Sequence, residues 1–426
     1  MRAWLIQVGE PLPTDPGNPR LWRTGLLAEQ LARRGHDVLW WASTFEHRTK
    51  QHRYTGQREV SVSDRLRLLL LRSPGYKGNI SLGRLYDHRV LAASFREAVN
   101  HQLQPDVIHC GFPTIELSRD AVRYGRAHNV PVVLDVRDLW PDIFLDSIPA
   151  AMRPIARMAM RGEVARTREA CAGATAITGP TPGFVEFGLR YAGRLARPMD
   201  RVFPFGYPAT PPNAADVAAA RTWWDEQGVR VDDPMPTICF LGTFGAQRAL
   251  DFETVIDAAR LLSERDVRVR FVLCGAGPRL EESRRRAEGL PNLILPGWVG
   301  FPQMWTLMRR SIVGLLPYFG STAFAMHVPN KAIEYLSGSL PVLTSLTGGY
   351  LEDVLRSADC GVFYKGGDPG SLAGAVETLL GSADRLADLR SAAARLFEGQ
   401  YAAERIYGSL SDYLEHVSGI QPCEAA

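Results

Sequence analysis

The chain has 426 residues, 46% hydrophobic and 22% charged, with 39 Gly and 29 Pro; at about 150 residues per domain this is roughly two or three folded domains, and it excludes disorder, collagen and coiled coil. The net charge of +3 hides a split, because residues 1–200 carry 28 Lys+Arg against 20 Asp+Glu, a net of +8, and residues 201–426 carry 21 against 26, a net of −5. No apolar run reaches the roughly 18 residues of a membrane span, and the N-terminus meets Glu10 too soon for a signal peptide, so the expected location is cytoplasmic.

Residues 3–8 form a short apolar run suited to a buried parallel strand. A Pro/Gly-rich loop over 9–17 follows. Residues 21–34 then place Leu27 and Leu31 on one helical face, and Gly35 is placed to stop that helix. Residues 36–42 are the next strand, which completes a βαβ unit. Residues 65–72 read as a strand with charged flanks, 105–110 as a strand, 116–128 as a helix, and 130–136 and 174–178 as strands. Residues 203–215 are Pro-rich and read as a linker. The rhythm then restarts, with strands at 237–241, 269–274, 293–295, 312–316 and 342–344 and a helix over 252–263. The expected class is α/β: two facing Rossmann-like domains, 1–202 and 216–402, with a C-terminal helix over about 403–418 packing back on the first. Ligands in such sheets bind beyond the carboxyl ends of the strands, so the interdomain cleft is the expected active site.

Several residues carry chemistry in this frame. Gly242-Thr243-Phe244-Gly245-Ala246-Gln247-Arg248 spans a strand-to-helix turn, where glycines allow close backbone approach and Arg248 can clamp a phosphate. Gly275-Ala276-Gly277-Pro278 is a weaker copy. Pro329 is suited to start a helix and Gly338 to end it, which puts Lys331 and Glu334 three apart on one face. Lys331 near a helix N-terminus points to phosphate, and Glu334 one turn on can accept from ribose hydroxyls; a surface Lys–Glu pair is the alternative. Arg137-Asp138 at a strand end offers a polar pair to a cleft, unless Asp138 caps the turn at Trp140-Pro141. His36 follows a helix stop and is expected to interact with the helix end. His109 either lines the cleft or packs at its strand end.

Within 152–164, Arg153, Arg157 and Arg161 share one helical stripe, with Ile155, Met158 and Met160 elsewhere. Such a helix either lies on anionic membrane, each basic residue adding about 1 kcal/mol, or presents a solvated face. No D-x-D triplet, zinc-ligand spacing or G-x-S-x-G occurs, and the six cysteines suit buried reduced thiols, so no metal site is expected. No aromatic–basic interleaving supports nucleic acid as a partner.

In this order and spacing, further segments complete a pattern: Arg34-Gly35-His36-Asp37-Val38, Ser73-Pro74-Gly75-Tyr76-Lys77-Gly78-Asn79, Leu134-Asp135-Val136-Arg137-Asp138-Leu139-Trp140-Pro141, Pro296-Gly297-Trp298-Val299, and Pro329-Asn330-Lys331 leading to Glu334. The chain resembles, nearly end to end, a family 4 glycosyltransferase of the two-domain GT-B fold. Within that family it is most similar to bacterial enzymes of O-antigen, capsule and exopolysaccharide synthesis, including N-acetyl-fucosaminyl transferases.

The resemblance implies a retaining, metal-independent enzyme with no cofactor beyond a nucleotide-sugar donor, expected to be UDP-linked. It implies a catalytic set of Arg248, Lys331, Glu334 and Asp138. Gly245, Gly275, Trp298, Val299 and Glu334 would bind the nucleotide, and Phe319, Gly320 and Ser321 the donor sugar. The acceptor, a saccharide or polyprenyl-diphosphate-linked saccharide, would meet Arg137, Asp138, Lys77 and Asn79. Arg153, Arg157 and Arg161 would touch an anionic membrane surface. N-acetylated hexosamines and deoxyhexosamines are among the sugars implied. One departure stands out: the first Glu of the family's E-x7-E motif falls at position 326, which here is Met. Two rival readings are a GT-B sugar-nucleotide epimerase and a non-catalytic scaffold of the same fold.

Overall fold

The computed structural model describes residues 1–419 except 18, 80, 147, 150, 151, 231, 246–248 and 320–324, and it leaves the side chains of 145, 146 and 157 undescribed. The chain divides into two compact units, Met1–Phe205 with Ala403–Ala426, and Gly206–Ala402.

Unit 1 is built on an eight-stranded sheet. Its strands are β1 (Arg2–Ile6), β2 (Asp37–Ser43), β5 (Arg58–Ser63), β6 (Leu66–Leu71), β7 (Val107–Phe112), β8 (Val132–Val136), β9 (Ala176–Gly179) and β10 (Arg201–Val202); β3 (Phe45–Glu46) and β4 (Gln51–His52) form a separate hairpin. The order is β10-β9-β8-β7-β1-β2-β6-β5, and every neighbouring pair is parallel except β5–β6. The central strands are apolar on both faces, as sheets covered by helices on each side require; Trp4, Trp40 and Trp41 are fully buried. Strand β5 escapes the periodicity because Arg58-Glu59-Val60-Ser61-Val62-Ser63 is polar and mostly exposed, as befits an antiparallel edge.

The helices are α1 (Arg23–Arg33), α2 (Leu82–Ala98), α3 (Ile115–His128), α4 (Asp142–Asp146), α5 (Arg153–Ala159), α6 (Arg161–Gly173) and α7 (Pro182–Ala192). The expected single helix over the arginine stripe is broken. Met160 leaves helical geometry (ψ 5°) just before Gly162, so Arg161 opens α6 while Arg153 sits on α5. Arg153 and Arg161 therefore belong to two separate helices, and the Arg157 side chain lies outside the described residues.

Unit 2 begins with α8 (Ala214–Glu226) and alternates β11 (Thr237–Thr243), α9 (Phe252–Glu264), β12 (Arg270–Ala276), α10 (Leu280–Arg286), β13 (Leu293–Gly297), α11 (Phe301–Arg310), β14 (Ser311–Leu316), α12 (Asn330–Ser337), β15 (Val342–Thr344), α13 (Tyr350–Ser357), β16 (Gly361–Phe363), α14 (Pro369–Leu380) and α15 (Ala383–Gln400). Its six strands are all parallel, in the order β13-β12-β11-β14-β15-β16.

The last helix, α16 (Ala403–Val417), returns to unit 1. Tyr407, Leu410 and Leu414 join Leu27, Ala28 and Leu31 of α1 in one buried cluster. Arg34 donates to Asp412 (2.5 Å) and Glu415 (3.2 Å), and His36 bonds Glu415 at 2.7 Å. His36 thus serves the C-terminal helix, a partner 379 residues away that local sequence cannot show. Five cysteines are buried and free, and Cys423 lies outside the described residues.

Removing α16 would leave the apolar face of α1 open to water. A chain ending at Ala402 is expected to lose the calorimetric unfolding transition of unit 1 while keeping that of unit 2; two intact transitions would contradict this packing account.

Candidate functional site

In unit 2 the carboxyl ends of β11 and β12 come unusually close. Gly242 pairs with Gly275, and a Cβ on Gly275 would fall 2.0 Å from the Gly242 carbonyl oxygen. Gly275 also has φ +157°, and Gly277 φ +146°, where a side chain would be strained. A Cβ on Gly277 would lie 2.2 Å from the Phe244 carbonyl oxygen. Glycine is therefore needed here for the two loops to close, beyond any turn preference.

Helix α12 is fixed to the same strand ends by Tyr335. Its ring lies against Gly314, where a Cβ would meet it at 2.2 Å. Its hydroxyl accepts the Leu241 N–H (3.0 Å) and donates to the Leu315 carbonyl (3.1 Å), so one buried side chain ties α12 to β11 and β14. The helix N-terminus then delivers Lys331 across Gly242. A Cβ there would stand 2.3 Å from Lys331 Cε and 3.1 Å from Nζ. The Lys331 ammonium reaches the Tyr318 hydroxyl at 3.4 Å and makes no ion pair among the described residues, which sets aside a Lys331–Glu334 pair. Glu334, one turn on, is buried.

The ends of the loop containing Arg248 are pinned. Phe319 N–H donates to Ala249 O (3.0 Å), Asp251 N–H to Pro317 O (2.7 Å), and Leu250 bridges Tyr318. Arg279 donates to Leu250 O (3.0 Å) and pairs with Glu253 (2.6 Å). Gly245 is described, whereas Arg248, Gly320 and Ser321 lie outside the described residues. Phe319 and Trp298 are exposed, Val299 is buried, and Gly297 turns the chain with φ +93°. Tyr318 carries no sequence signal of its own; only its contact with Lys331 singles it out. Among the described residues no group of three or more His, Cys, Asp and Glu could hold a metal, and no helix is long and apolar enough to cross a membrane.

In unit 1 the carboxyl ends of β8 and β9 enclose a buried ionic cluster. Asp135 accepts from Arg23 Nε (2.8 Å) and Nη2 (3.0 Å), from Arg137 Nε (2.6 Å), and from the Thr178 hydroxyl (2.9 Å). Burial alone would push its carboxyl up, but Arg23 and Arg137 outweigh that and hold it far below the usual carboxylate range. Arg137 also pairs with Glu10 and donates to the Thr24 hydroxyl (3.0 Å), and Glu10 accepts the Thr24 N–H (2.9 Å). The buried guanidinium of Arg137 thus organises strand ends through Nε and Nη1, and its Nη2 has no hydrogen-bond partner among the described residues. Asp138 accepts the N–H of Leu139 (2.8 Å) and so caps its own turn; burial raises its carboxyl.

His109 is fully buried 3.9 Å from Asp135, and burial pushes its imidazole down to about 3. Lys77 and Asn79 are exposed, and Asn79 accepts from Lys50 Nζ at 2.7 Å. In the sequence Lys50 stood out only as one of four lysines, and Glu10 carried no sign of this role.

Residues 22–208 match the family described as "Glycosyl transferase 4-like domain", and residues 235–382 match "Glycosyl transferases group 1". The chain is a family 4-type glycosyltransferase. A soluble starch synthase 2-2 from Oryza sativa subsp. japonica is 32% identical over 133 residues, 31% of this chain and 18% of the rice protein, so the chain spans under a fifth of that relative. Among solved structures, the sucrose-phosphate synthase of Thermosynechococcus elongatus is similar with a TM-score of 0.68 and 16% identity, covering 98% of this chain and 99% of the other. Anabaena HepE in complex with UDP-glucose gives a TM-score of 0.61 at 14% identity, covering 98% and 100%. These likenesses show the fold of this glycosyltransferase to be GT-B.

The buried histidines make the fold acid-sensitive. His109 and His88 are both held down to about 3 by burial, against about 6.5 in the unfolded chain. Their contribution is complete above pH 6.5 and is lost as pH falls towards 3, each by up to about 1.4 kcal/mol per pH unit. The denaturant midpoint should decline steadily from pH 6.5 to 4.5, and His109→Asn should flatten that slope; a profile level across the window would contradict the burial argument.

Proposed function

We propose that the enzyme is a retaining glycosyltransferase that needs no metal, taking its sugar from a UDP-sugar bound to unit 2. The observation that carries this reading is Lys331, a half-buried ammonium laid over Gly242 at a strand end with no carboxylate in ion-pair contact among the described residues. A departing diphosphate needs such charge, and the α12 N-terminus adds its dipole on the same side. Glu334 accepts from the ribose hydroxyls. The resemblance assigns Arg248 to the diphosphate as well and Gly320 and Ser321 to the sugar. Gly245, where a Cβ would meet nothing within 4 Å, leaves room for a nucleotide to reach the backbone, while Gly242, Gly275 and Gly277 let the strand ends and Lys331 close together. Attack from the face the diphosphate leaves retains the anomeric configuration and requires no protein nucleophile.

The acceptor reading follows the resemblance: a saccharide or polyprenyl-diphosphate-linked saccharide, in assembly of a cell-surface polysaccharide at the cytoplasmic face of a membrane. It is supported by an apolar surface on unit 1. Met152, Ile155 and Met158 are each more than half exposed on and beside α5, with Arg153 next to them and Arg161 exposed at the start of α6. Exposed apolar side chains flanked by arginines suit an anionic interface.

UDP is expected to raise the melting temperature more than GDP does, and Lys331→Gln is expected to abolish most of that shift and lower kcat by about 100-fold. No response to any nucleotide would overturn the donor assignment. Replacing Met152, Ile155 and Met158 together by Ser should release the protein from vesicles containing anionic lipid; unchanged co-sedimentation would reject this surface as the membrane contact.

A further inference from the structure

Unit 1 holds a second concentration of cationic side chains, on the loop joining β6 to α2 and the segment between β3 and β4. Tyr76 is at its centre. Lys50 Nζ stands 4.6 Å from the Tyr76 ring centroid and Arg84 Cζ 5.6 Å. Both cations bind the same residue, Lys50 donating to Asn79 Oδ1 (2.7 Å) and Arg84 to the Asn79 carbonyl (2.9 Å). His47 Nδ1 lies 3.3 Å from Lys50 Nζ and also meets the Tyr76 hydroxyl.

The cluster is short of counter-charge. Among the described residues about half of the arginines have a carboxylate within 4.0 Å, whereas Lys50 and Arg84 have none, and Arg84 Nε is buried without a hydrogen-bond partner. Of the nearby carboxylates, Glu46 pairs with Arg48 (3.6 Å), while Asp87, bonded by Ser73 and the Gly75 N–H (3.0 Å), and Asp138, bonded by Leu139, feel the Arg84 charge only from beyond ion-pair distance. Burial, then the charges of Lys50 and Arg84, push the His47 imidazole down to about 4, and burial together with Arg84 lowers the Lys50 ammonium. Lys50 is also held at φ +59°, a left-handed conformation uncommon for a lysine. Backbone strain and like charges brought together are costs that an anionic ligand would offset.

We infer that Lys50 and Arg84, arrayed around Tyr76 and Asn79, form a binding subsite for a phosphate or diphosphate group carried by the acceptor. A phosphate brings a charge near −2 and three acceptor oxygens, which suits two separate cations with an imidazole beside them better than one carboxylate does. The inference rests on the reading of unit 1 as the acceptor domain, and it adds the chemical class: the acceptor is a phosphate ester. Lys50 and Arg84 are binding residues and take no part in bond breaking.

The test is calorimetric titration of inorganic pyrophosphate into the full chain carrying Lys331→Gln, which weakens phosphate binding on the donor side. Adding Lys50→Gln and Arg84→Gln should raise the dissociation constant about tenfold or more, whereas Lys50→Arg with Arg84→Lys should raise it only about threefold, the charges being kept and the Arg84 fork lost. Equal affinity in all three proteins overturns the subsite, and so does equal loss in the charge-keeping pair. Arg84 also lies 4.4 Å from the Trp140 ring centroid; should its loss unfold the protein, Lys50→Gln alone carries the same comparison. UDP titrated into the same set and into the chain with Lys331 intact separates the two readings, because Lys331→Gln should weaken it and the added changes at Lys50 and Arg84 should not. A short prenyl diphosphate and a hexose 1-phosphate, run as competitors of pyrophosphate, identify a lipid-linked or a soluble acceptor according to which displaces it, and displacement by neither overturns the proposal.

Discussion

Unit 1 depends on one buried negative charge. Asp135 sits at the end of β8, away from water, and two arginines from different parts of the chain converge on it. Arg23 comes from the start of α1 and also bonds the carbonyls of Phe203 (2.8 Å) and Pro204 (2.9 Å), the last residues before unit 2 begins. Arg137 links the same carboxylate to Glu10 in the loop after β1. A buried pair adds little net stability over an apolar equivalent, but removing one member strands the others. Its effect here is registration: the loop after β1, the start of α1, the ends of β8 and β9 and the exit to unit 2 are all placed relative to one atom group.

Unit 2 solves the corresponding problem without charge, by deleting side chains. Gly242, Gly275, Gly277 and Gly314 are positions where a single Cβ would strike backbone or a ring. Their absence lets Tyr335 reach between β11 and β14 and lets Lys331 lie over a strand end. The result is a cation positioned by packing, with its charge left over for a ligand.

Much of this was legible in the sequence because parallel strands buried on both faces read as short apolar runs, and Pro329 and Gly338 bracket a helix. The residues 242, 331 and 334 followed from position relative to those elements. What was not legible depended on distance in the chain or on compensation. Arg23, Glu10 and Asp135 are separated by up to 125 residues and look like ordinary surface charges. Arg137 seemed available because its partners could not be seen. Strand β5 failed because an edge strand in water has no apolar alternation, and the break at Met160 failed because arginines at four-residue spacing suggest one helix whether or not the backbone continues. The pairing of Lys50, one of only four lysines, with Arg84 was not legible because what marks it is the lack of an opposing charge close by, which only coordinates reveal.

The return of α16 to unit 1 has a consequence for how the chain is made. Unit 2, Gly206–Ala402, is complete in sequence before the helix that closes unit 1 exists. At roughly 5–20 residues per second, synthesis of that stretch takes roughly 10–40 s. Throughout that interval Leu27, Ala28 and Leu31 have no cover, and Arg34 and His36 wait for Asp412 and Glu415. The domain translated first is thus completed only after the second, once residues 403–417 have been made.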